Sequence, residues 1–497
     1  MSLGVGELPA IVIQEPESSA TGRPAFNARG LAAAVGGRLL RDSSRPIHGG
    51  AVDSRRLEPG NAFFALPGER TDGHRFLAEA VEAGAGALVV SQPLPSDELA
   101  VLATRGGGDA AVIAVGDGQS ALHAAAEAWR ARFTPIVVGV TGSLAKTSTK
   151  EQTAEVLSER WNVLRNTANE NNEIGLPLTL LRLEPEHEVA VLEMGMYVPG
   201  DIAQLAALAR PAIGVVTAVR GTHLSRAGTI DAIERGKREL VEALPARGTA
   251  VLNADDPRVA RMAEDVHADV RVLSYGFDPR AQVRATDVES LADQGMRFRL
   301  HLPDAQIDVA SLVLGRHGVH NALAAAAVGH ALGLEPATIA RGLARPAGAP
   351  HRSALARAGE WRVLDDTYNA APDSMVAALE LLASLPGRRL AVLGEMLELG
   401  ETALEAHVSV GARAAACADV LLCVGEGAAA YAEGARDAGM NPAAIHRPPD
   451  QEVAFGLLLH ILRPGDVVLL KGSRGVALDL LVGRLKDAAA YREGARR

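Results

Sequence analysis

VTGSLAKTSTKE, from Val140 to Glu151, is the most informative segment of this chain. The residues that lead into it, Ile136–Val140, are mostly β-branched and predict a buried strand, and the segment then predicts a turn and the start of a helix. Backbone N–H groups at such a turn, with a helix N-terminus behind them, attract phosphate. The sequence therefore predicts a loop that holds the phosphates of ATP, formed by Gly142, Ser143, Leu144, Ala145, Lys146, Thr147 and Ser148.

The match to a phosphate-binding loop is incomplete. The pattern G-x-x-x-x-G-K-[ST] has glycine where this chain has Val140 and Ala145. Lys146 can neutralise the β- and γ-phosphate oxygens, and Thr147 can bind Mg²⁺. The alternative is an ordinary strand–turn–helix with a surface lysine. If the backbone at Ala145 needs a positive φ, alanine costs about 1 kcal/mol or more, and if φ is negative it costs little. We expect a working loop that is modestly impaired at most.

The bulk composition limits the class of protein. The chain has 497 residues, which at about 150 residues per domain predicts roughly three domains. Its formal net charge of −10 argues against a general nucleic-acid binder. A basic-then-apolar N-terminal signal and a run of about 18 apolar residues are both absent, so we expect a cytoplasmic protein without membrane insertion. The two cysteines, Cys417 and Cys423, read as buried core thiols.

The pattern of strands and helices predicts four segments. Residues 1–25 are a loose tail, residues 26–115 a small α/β unit, and residues 116–346 and 347–497 two larger units in which strands alternate with helices. A loop rich in proline and glycine, Arg345–Ser353, marks the last boundary. Two short segments near residues 282–303 predict an antiparallel flap, and the Ala-rich segment that starts at His320 predicts a helix. The fold class is therefore α/β with parallel sheets.

Polar residues follow the predicted strands of the central unit. Glu193 ends one buried run and His223 follows another, and Lys237 lies on the next predicted helix. The carboxyl ends of strands are where open α/β sheets bind ligands, and a carboxylate there suits Mg²⁺. Taken singly, a histidine or lysine of this kind is more often structural or solvated.

Four further segments are candidates for binding. Asparagines in NTANENNEIG, which ends at Gly175, offer amide groups to a polar substrate, or else form a solvated loop. Asn321 opens an Ala-rich helix and either contacts an adenine edge or simply starts that helix. LDDTYNAAPDSM, which ends at Met375, places aspartates after a strand, although Asp373 or Ser374 can be a helix cap. LLKGSRG, which ends at Gly475, predicts another anion site.

Taken in chain order, these segments resemble the Mur ligase family from about residue 28 to 490. DSRRLEPGNAFFALPGERTDGH is similar to the family's uridine-nucleotide domain. The branch that adds D-alanyl-D-alanine to UDP-N-acetylmuramoyl-tripeptide is most similar, through NNEIGLPLTLL, LNADDPRV, DDTYNAAPDSM, VLGEMLELGE and KGSRG. The resemblance implies three domains: a small N-terminal α/β domain for the UDP-substrate, a central P-loop-type domain for ATP, and a C-terminal Rossmann-like domain for the incoming amine.

The resemblance also implies a reaction of peptidoglycan precursor synthesis. ATP phosphorylates the terminal carboxylate of the UDP-MurNAc-tripeptide, because a free carboxylate is a poor acyl donor. The amine of D-Ala-D-Ala then attacks the acyl phosphate, and ADP and phosphate are released. Mg²⁺ and a lysine screen the repulsion between the two anions. Both substrates are small molecules, and we expect a monomer.

By position, the resemblance implies a set of site residues. The catalytic set is Lys146, Glu193, His223 and Lys237, and the Mg²⁺ ligands are Thr147, Glu193, His223 and, if it is carbamylated, Lys237. Asn321, Arg352 and Asp366 join the phosphate loop in binding ATP. The substrate-binding set is Ser54, Arg55, Asn171, Asn172, Tyr368, Asn369, Lys471, Ser473 and Arg474.

The chain departs from the family pattern at four positions. Ala145 replaces a glycine, Gly318 and Ala371 each replace an asparagine, and Ser225 replaces a glutamate. Two alternatives therefore stay open: a Mur-like ligase that acts on a different acid and amine, and a non-catalytic relative that binds nucleotide or UDP-sugar.

Overall fold

The structure is a computed structural model, which describes residues 24–68, 71–105, 109–167, 170–221 and 228–494. Contacts divide the chain into two compact units. The first holds the described residues of 24–136 and 170–188, and the second those of 137–167 and 189–494.

The first unit is built on a five-stranded sheet. Its strands are, in spatial order, Arg38–Arg41, Ala111–Ala114, Ala87–Val90, Ala62–Phe64 and Gly50–Ala51. The edge strand Arg38–Arg41 is antiparallel to its neighbour and the other pairs are parallel. The helices are Ala28–Ala34, Leu77–Glu82, Ser96–Thr104, Gly118–Arg130 and Gly175–Leu180, with short 3₁₀ turns at Ser54–Arg56 and Gly73–Phe76.

The second unit contains a nine-stranded sheet. Its strands are, in spatial order, Gln306–Ser311, Met296–His301, Val283–Ser290, Arg271–Gly276, Thr249–Asn253, Ile213–Val216, Ile136–Thr141, Val189–Glu193 and Val163–Arg165. Helices Lys146–Leu157, Asp201–Ala209, Ile230–Glu242, Pro257–Arg261, Gly315–Ala331 and Pro336–Leu343 belong to this part, with 3₁₀ turns at Met262–Glu264 and Ala292–Gln294. The predicted antiparallel flap is confirmed, and it continues the main sheet through the pairing of Tyr275 with Val283.

The same unit contains a six-stranded sheet. Its strands are, in spatial order, Ala354–Ala358, Trp361–Asp365, Val467–Lys471, Arg389–Gly394, Val420–Val424 and Ile445–His446. Its helices are Pro372–Ser384, Ala403–Cys417, Ala429–Asp437, Gln451–Ile461 and Asp479–Gly494, with 3₁₀ turns at Gly400–Thr402, Pro442–Ala444 and Arg474–Val476. Buried clusters cover both faces of this sheet, so it is doubly wound as predicted.

The α/β class with mostly parallel sheets is confirmed by the strand pairings, most of which are parallel. Strands such as Val189–Glu193 and Val420–Val424 are buried along their whole length, as is typical of parallel sheets. Both predicted core cysteines are buried and free. The helix Gly118–Arg130 packs in the first unit, where the Trp129 Nε1 donates to the Leu183 carbonyl at 3.0 Å. The domain limits at residues 115 and 346 stay predictions.

One helix start was predicted wrongly. The Ala-rich helix begins at Gly315 and not at His320, so Asn321 is its seventh residue. The prediction failed because Gly315 and Gly318 are poor helix formers, and tertiary packing overrides that preference. An added Cβ at Gly318 would lie 2.9 Å from the Val313 Cβ, so the helix approaches Val313 closely there.

Among the described helices, none is long and apolar enough to cross a membrane.

Candidate active site

The predicted phosphate loop connects the strand Ile136–Thr141 to the helix Lys146–Leu157. Gly142 has a φ of 151°, and a Cβ there would lie 1.8 Å from the Thr217 Oγ1, so no other residue fits. The Thr217 hydroxyl lies 2.6 Å from the Leu144 carbonyl, to which it donates. Thr217, which sequence reasoning missed, therefore shapes the turn from the end of a neighbouring strand.

Ala145 is in the left-handed conformation, with a φ of 64°. This is the condition under which alanine costs about 1 kcal/mol or more relative to glycine. The helix starts at the next residue, Lys146, without a side-chain cap at Ala145. The N–H groups of a first helical turn have no partner within the helix, so they can donate to an anion.

Ser143 uses its polar groups within the protein. Its N–H donates to the Ala218 carbonyl at 2.7 Å, and its hydroxyl both donates to the Arg220 carbonyl and accepts from the Arg220 N–H. Its contact with ATP stays a prediction, and this geometry gives it the role of holding the loop. Leu144, Ser148 and the rest of the loop lie where the strand–turn–helix pattern predicted.

A threonine and a glutamate meet beside the loop lysine. The Thr147 Oγ1 donates to the Glu193 Oε2 at 2.6 Å, and Glu193, the last residue of its strand, is 2% exposed. Asn166 accepts from the Glu193 N–H at 2.9 Å and donates to the Glu193 carbonyl at 3.0 Å. The Lys146 Nζ donates to the Gly142 carbonyl at 2.8 Å. Two hard oxygen ligands thus lie in contact here, and the charge of Glu193 acts on the nearby Lys146.

Asn166 was missed as a positioning residue, although it begins the Asn-rich segment. Only a fold that pairs Val163–Arg165 with Val189–Glu193 brings it to Glu193. His223 and Ser225 lie outside the described residues. Within the described part of the chain, no group of three acidic, histidine or cysteine side chains could hold a metal ion.

Lys237 is a buried amine on the helix Ile230–Glu242, and it is 4% exposed. Burial, and then the charge of Lys146, hold the pKa of Lys237 well below its ordinary value. Burial also lowers the pKa of Lys146, and Arg352 adds to this, while the nearby Glu193 carboxylate opposes it. A buried amine of this kind tends to be neutral and therefore nucleophilic.

The six-stranded sheet contributes a second group of charges. The Lys471 Nζ lies 2.6 Å from the Asp366 Oδ2 and donates to the Asn369 carbonyl at 2.9 Å. The Asp366 Oδ1 accepts from the Ser353 N–H at 2.8 Å. Lys471 is 2% exposed and ends the strand Val467–Lys471, so it ties this strand to the loop that contains Asp366 and Asn369. Its contact with substrate stays a prediction.

The ring of Tyr368 lies close to two arginines. The Arg352 guanidinium is 3.9 Å from the centre of its ring, and that of Arg474 is 5.8 Å away. Such stacking holds a guanidinium in place while leaving its N–H groups free to bind an anion. The Ser473 hydroxyl accepts from the Leu397 N–H at 2.9 Å and so orders the neighbouring loop.

Asn321 reaches the helix of the phosphate loop. It is 8% exposed, and its Oδ1 lies 3.5 Å from the Thr149 Oγ1 on Lys146–Leu157. Its position inside a helix removes the alternative that it merely starts one. The predicted adenine contact stays a prediction.

The remaining predicted residues belong to the first unit. Ser54 and Arg55 lie in a 3₁₀ turn, where Arg55 forms a bidentate ion pair with Asp53 at 2.9 and 2.7 Å. That hydrogen bonding lowers the pKa of Asp53. The Asn172 Oδ1 accepts from the Gly175 N–H at 2.9 Å, so it supports the helix that starts there, and Asn171 precedes it in the same loop.

The chain matches known protein families and proteins over most of its length. Three family descriptions match: "Mur ligase family, catalytic domain" at residues 46–130, "Mur ligase middle domain" at 140–329, and "Mur ligase, glutamate ligase domain" at 351–474. The UDP-N-acetylmuramoyl-tripeptide–D-alanyl-D-alanine ligase of Mycobacterium tuberculosis is 38% identical over 472 residues, covering 88% of this chain and 91% of its own. The ligase of the same name from Escherichia coli is 37% identical over 446 residues, covering 88% and 93%.

Solved structures of MurF proteins are also similar to this chain. A crystal structure of MurF from Acinetobacter baumannii matches with a TM-score of 0.83 at 30% identity, covering 94% of this chain and 99% of its own. The MurF ligase from Thermotoga maritima in complex with ADP matches with a TM-score of 0.76 at 27% identity, covering 90% and 98%.

Proposed function

We propose that this chain, which belongs to the Mur ligase family, is an ATP-dependent ligase that adds D-alanyl-D-alanine to UDP-N-acetylmuramoyl-tripeptide in peptidoglycan precursor synthesis. The observation that carries the proposal is the meeting of Lys146, Thr147 and Glu193 at the end of two neighbouring strands. The names and the high coverage of the relatives support the choice of substrates.

The phosphate loop binds ATP. The free N–H groups of the first helical turn donate to the phosphates, and Lys146 neutralises the β- and γ-phosphate oxygens on either side of the P–O bond that breaks. The γ-phosphoryl group passes to the terminal carboxylate of the tripeptide, which gives the acyl phosphate and ADP. A cation that is already fixed by the Gly142 carbonyl needs little reorganisation during this step.

Thr147 and Glu193 fit a magnesium ion. A hydroxyl and a carboxylate that share a hydrogen bond are hard oxygen donors of the kind that Mg²⁺ prefers, and the resemblance adds His223 as a further candidate ligand. When bound, the metal neutralises charge on the phosphates. The lowered pKa of Lys237 supports its carbamylation, because only a neutral amine adds carbon dioxide, and the charge of Lys146 acts on this amine.

The amine half of the reaction belongs to the six-stranded sheet. Arg352 and Arg474, stacked on Tyr368, offer N–H groups to the acyl phosphate and to the carboxylate of the dipeptide. The amine attacks the acyl carbon, the amide bond forms, and phosphate leaves. Since both nucleotide substrates are cytoplasmic metabolites, we place the enzyme in the cytoplasm, and we propose that it acts as a monomer.

A substrate-pair assay tests this function. Purified protein should release ADP only when both UDP-MurNAc-tripeptide and D-Ala-D-Ala are present, and Lys146→Ala should reduce turnover by orders of magnitude. Stimulation by a different acid and amine, and not by this pair, would show a Mur-like ligase of other specificity. ADP release by no pair, with nucleotide binding retained, would show a non-catalytic relative.

A further inference from the structure

Arg220 connects the phosphate loop to the six-stranded sheet. Its backbone bonds the Ser143 hydroxyl in both directions, as described above. Its guanidinium bonds Asp256 through Nη1, while its Nε lies 2.8 Å from the Asp373 Oδ2. Asp373 is the second residue of Pro372–Ser384, a helix that packs on the six-stranded sheet.

Asp256 holds Arg220 on the side of the nine-stranded sheet. Asp256 is 1% exposed and also accepts from the N–H groups of Val219 at 2.9 Å and Arg258 at 3.0 Å. The Arg220 Nη1 donates to the Val219 carbonyl as well, at 2.9 Å. These contacts therefore order the guanidinium independently of its ion pair with Asp373. A side chain that is already ordered loses less conformational entropy when it forms another ion pair.

Asp373 lies close to residues 366–371, which we assign to the dipeptide and call the dipeptide-binding loop. It follows Tyr368 and Asn369 by a few residues, and the Asn369 carbonyl is held by Lys471. Its side chain is 56% exposed and stands at a helix N-terminus, where a carboxylate is favourable. The ion pair thus fixes the start of this helix, and with it the end of the loop, against the nine-stranded sheet.

We propose that Arg220 is a positioning residue, which sets the dipeptide-binding loop relative to the phosphate loop through its ion pair with Asp373. This inference rests on the proposed function and adds to it a residue that does not touch either substrate. The side chain, and not the backbone, makes the contact with Asp373. Replacement of the side chain should therefore leave the bonds between Ser143 and the Arg220 backbone in place.

A double-mutant cycle tests the proposal. Asp373→Asn should lower kcat/KM for D-Ala-D-Ala about two- to fivefold, the range of an exposed ion pair, and leave the KM for ATP unchanged. Arg220→Met should lower it at least as much, and in that background Asp373→Asn should add nothing further. Because Arg220→Met leaves Asp256 without its arginine, thermal unfolding of each variant is recorded, and the isosteric Asp373→Asn is the decisive variant.

The same helix provides a matched control. Glu380 is 54% exposed and pairs with Arg413 at 2.8 Å, and both residues belong to helices of the six-stranded sheet. Glu380→Gln removes one carboxylate from the same helix and should leave kcat/KM for the dipeptide unchanged. Wild-type kcat/KM in Asp373→Asn, an equal loss in Glu380→Gln, or additive losses in the cycle would each overturn the proposal.

A measurement without turnover separates this proposal from the proposed function. Small-angle scattering should give a larger radius of gyration for Asp373→Asn than for Glu380→Gln at about 0.1 M salt, and the difference should shrink at about 1 M salt, where exposed charges are screened. If the wild type releases no ADP with the substrate pair, the substrate assignment is wrong, and the scattering result alone decides the role of Arg220. Equal radii at low salt would contradict it.

Discussion

At the scale of single residues, Ala145 shows how one methyl group affects the phosphate loop. The loop keeps its left-handed backbone at this position although alanine has replaced glycine. The neighbouring contacts hold it there, since Thr217 bonds the Leu144 carbonyl and the Ala145 carbonyl accepts from the Thr149 N–H. The conformation is therefore imposed by the surrounding structure, and alanine carries the strain.

Ala145→Gly should raise the free energy of unfolding by about 1 kcal/mol, because glycine has no steric penalty at this φ. The KM for ATP should stay the same or fall. Ala243, a helix C-cap with a φ of −79°, gives the matched control, since Ala243→Gly should not stabilise the protein. Urea unfolding and ATP titration measure both effects, and a higher KM in Ala145→Gly would mean that the loop depends on the methyl group.

The buried amine of Lys237 should make the stability of the folded protein depend on pH. Its pKa is low in the folded protein and ordinary in the unfolded chain, so the unfolded chain binds the extra proton below pH about 10.5. The free-energy cost of burying the Lys237 amine is therefore absent above that pH, and it grows as the pH falls towards the pKa of Lys237 in the folded protein.

In buffer without bicarbonate and metal, Lys237→Met should raise the free energy of unfolding at pH 7, and the gain should shrink as the pH approaches about 10.5. Lys486→Met, on the exposed side of the last helix, should change it little at either pH. Chemical denaturation at several pH values measures the difference. A gain that did not depend on pH would show that the amine is charged in the folded protein.

At the scale of elements, the helix Pro372–Ser384 shows how the alanine at position 371, in place of the asparagine of the family pattern, affects a helix start. Ala371 is its N-cap, with the extended backbone of that position and no side-chain acceptor. Ser374 compensates in part, because its hydroxyl accepts from the Ala371 N–H at 3.0 Å and donates to the Ala371 carbonyl. Of the two residues expected to cap this helix, Ser374 forms hydrogen bonds at its start. Asp373 instead pairs with Arg220.

Ala371→Asn should raise the free energy of unfolding by about 1 kcal/mol, since an asparagine oxygen at an N-cap accepts from the first turn. Ala371→Val, which has no acceptor but suits an extended backbone, should give no such gain. Thermal or urea unfolding of the two variants distinguishes them. Equal stabilities would show that Ser374 already satisfies this end of the helix.

At the scale of the whole molecule, the proposed ATP site depends on two sheets that form one compact unit. The nine-stranded sheet supplies Lys146, Thr147 and Glu193, and the six-stranded sheet supplies Arg352 and Asp366. The charge of Arg352 reaches Lys146, whose pKa it helps to lower. Charged groups of the two sheets therefore act on each other at this site. The sequence assigned Arg352 and Asp366 to the ATP site only through the family resemblance.

The sequence by itself determined the class of fold, most strands and the turn between the strand Ile136–Thr141 and the helix Lys146–Leu157, because these depend on local patterns. The strand Ile136–Thr141 covers the predicted Ile136–Val140, and Glu193 ends a buried strand as expected. The helix start at Gly315 was the exception, because Gly315 and Gly318 are poor helix formers and the close approach of Gly318 to Val313 is a tertiary contact. Local periodicity reports burial well, but it does not report close approach.

Only the tertiary structure decided which distant residues meet. Asn166 and Glu193 are 27 positions apart, and the contact of Arg220 with Asp373 joins the two sheets. The sign of φ at Ala145 was also undetermined by sequence, because neighbouring strands impose it. Such features depend on the positions of several elements at once, whereas a sequence pattern reports only the preferences of each element in turn.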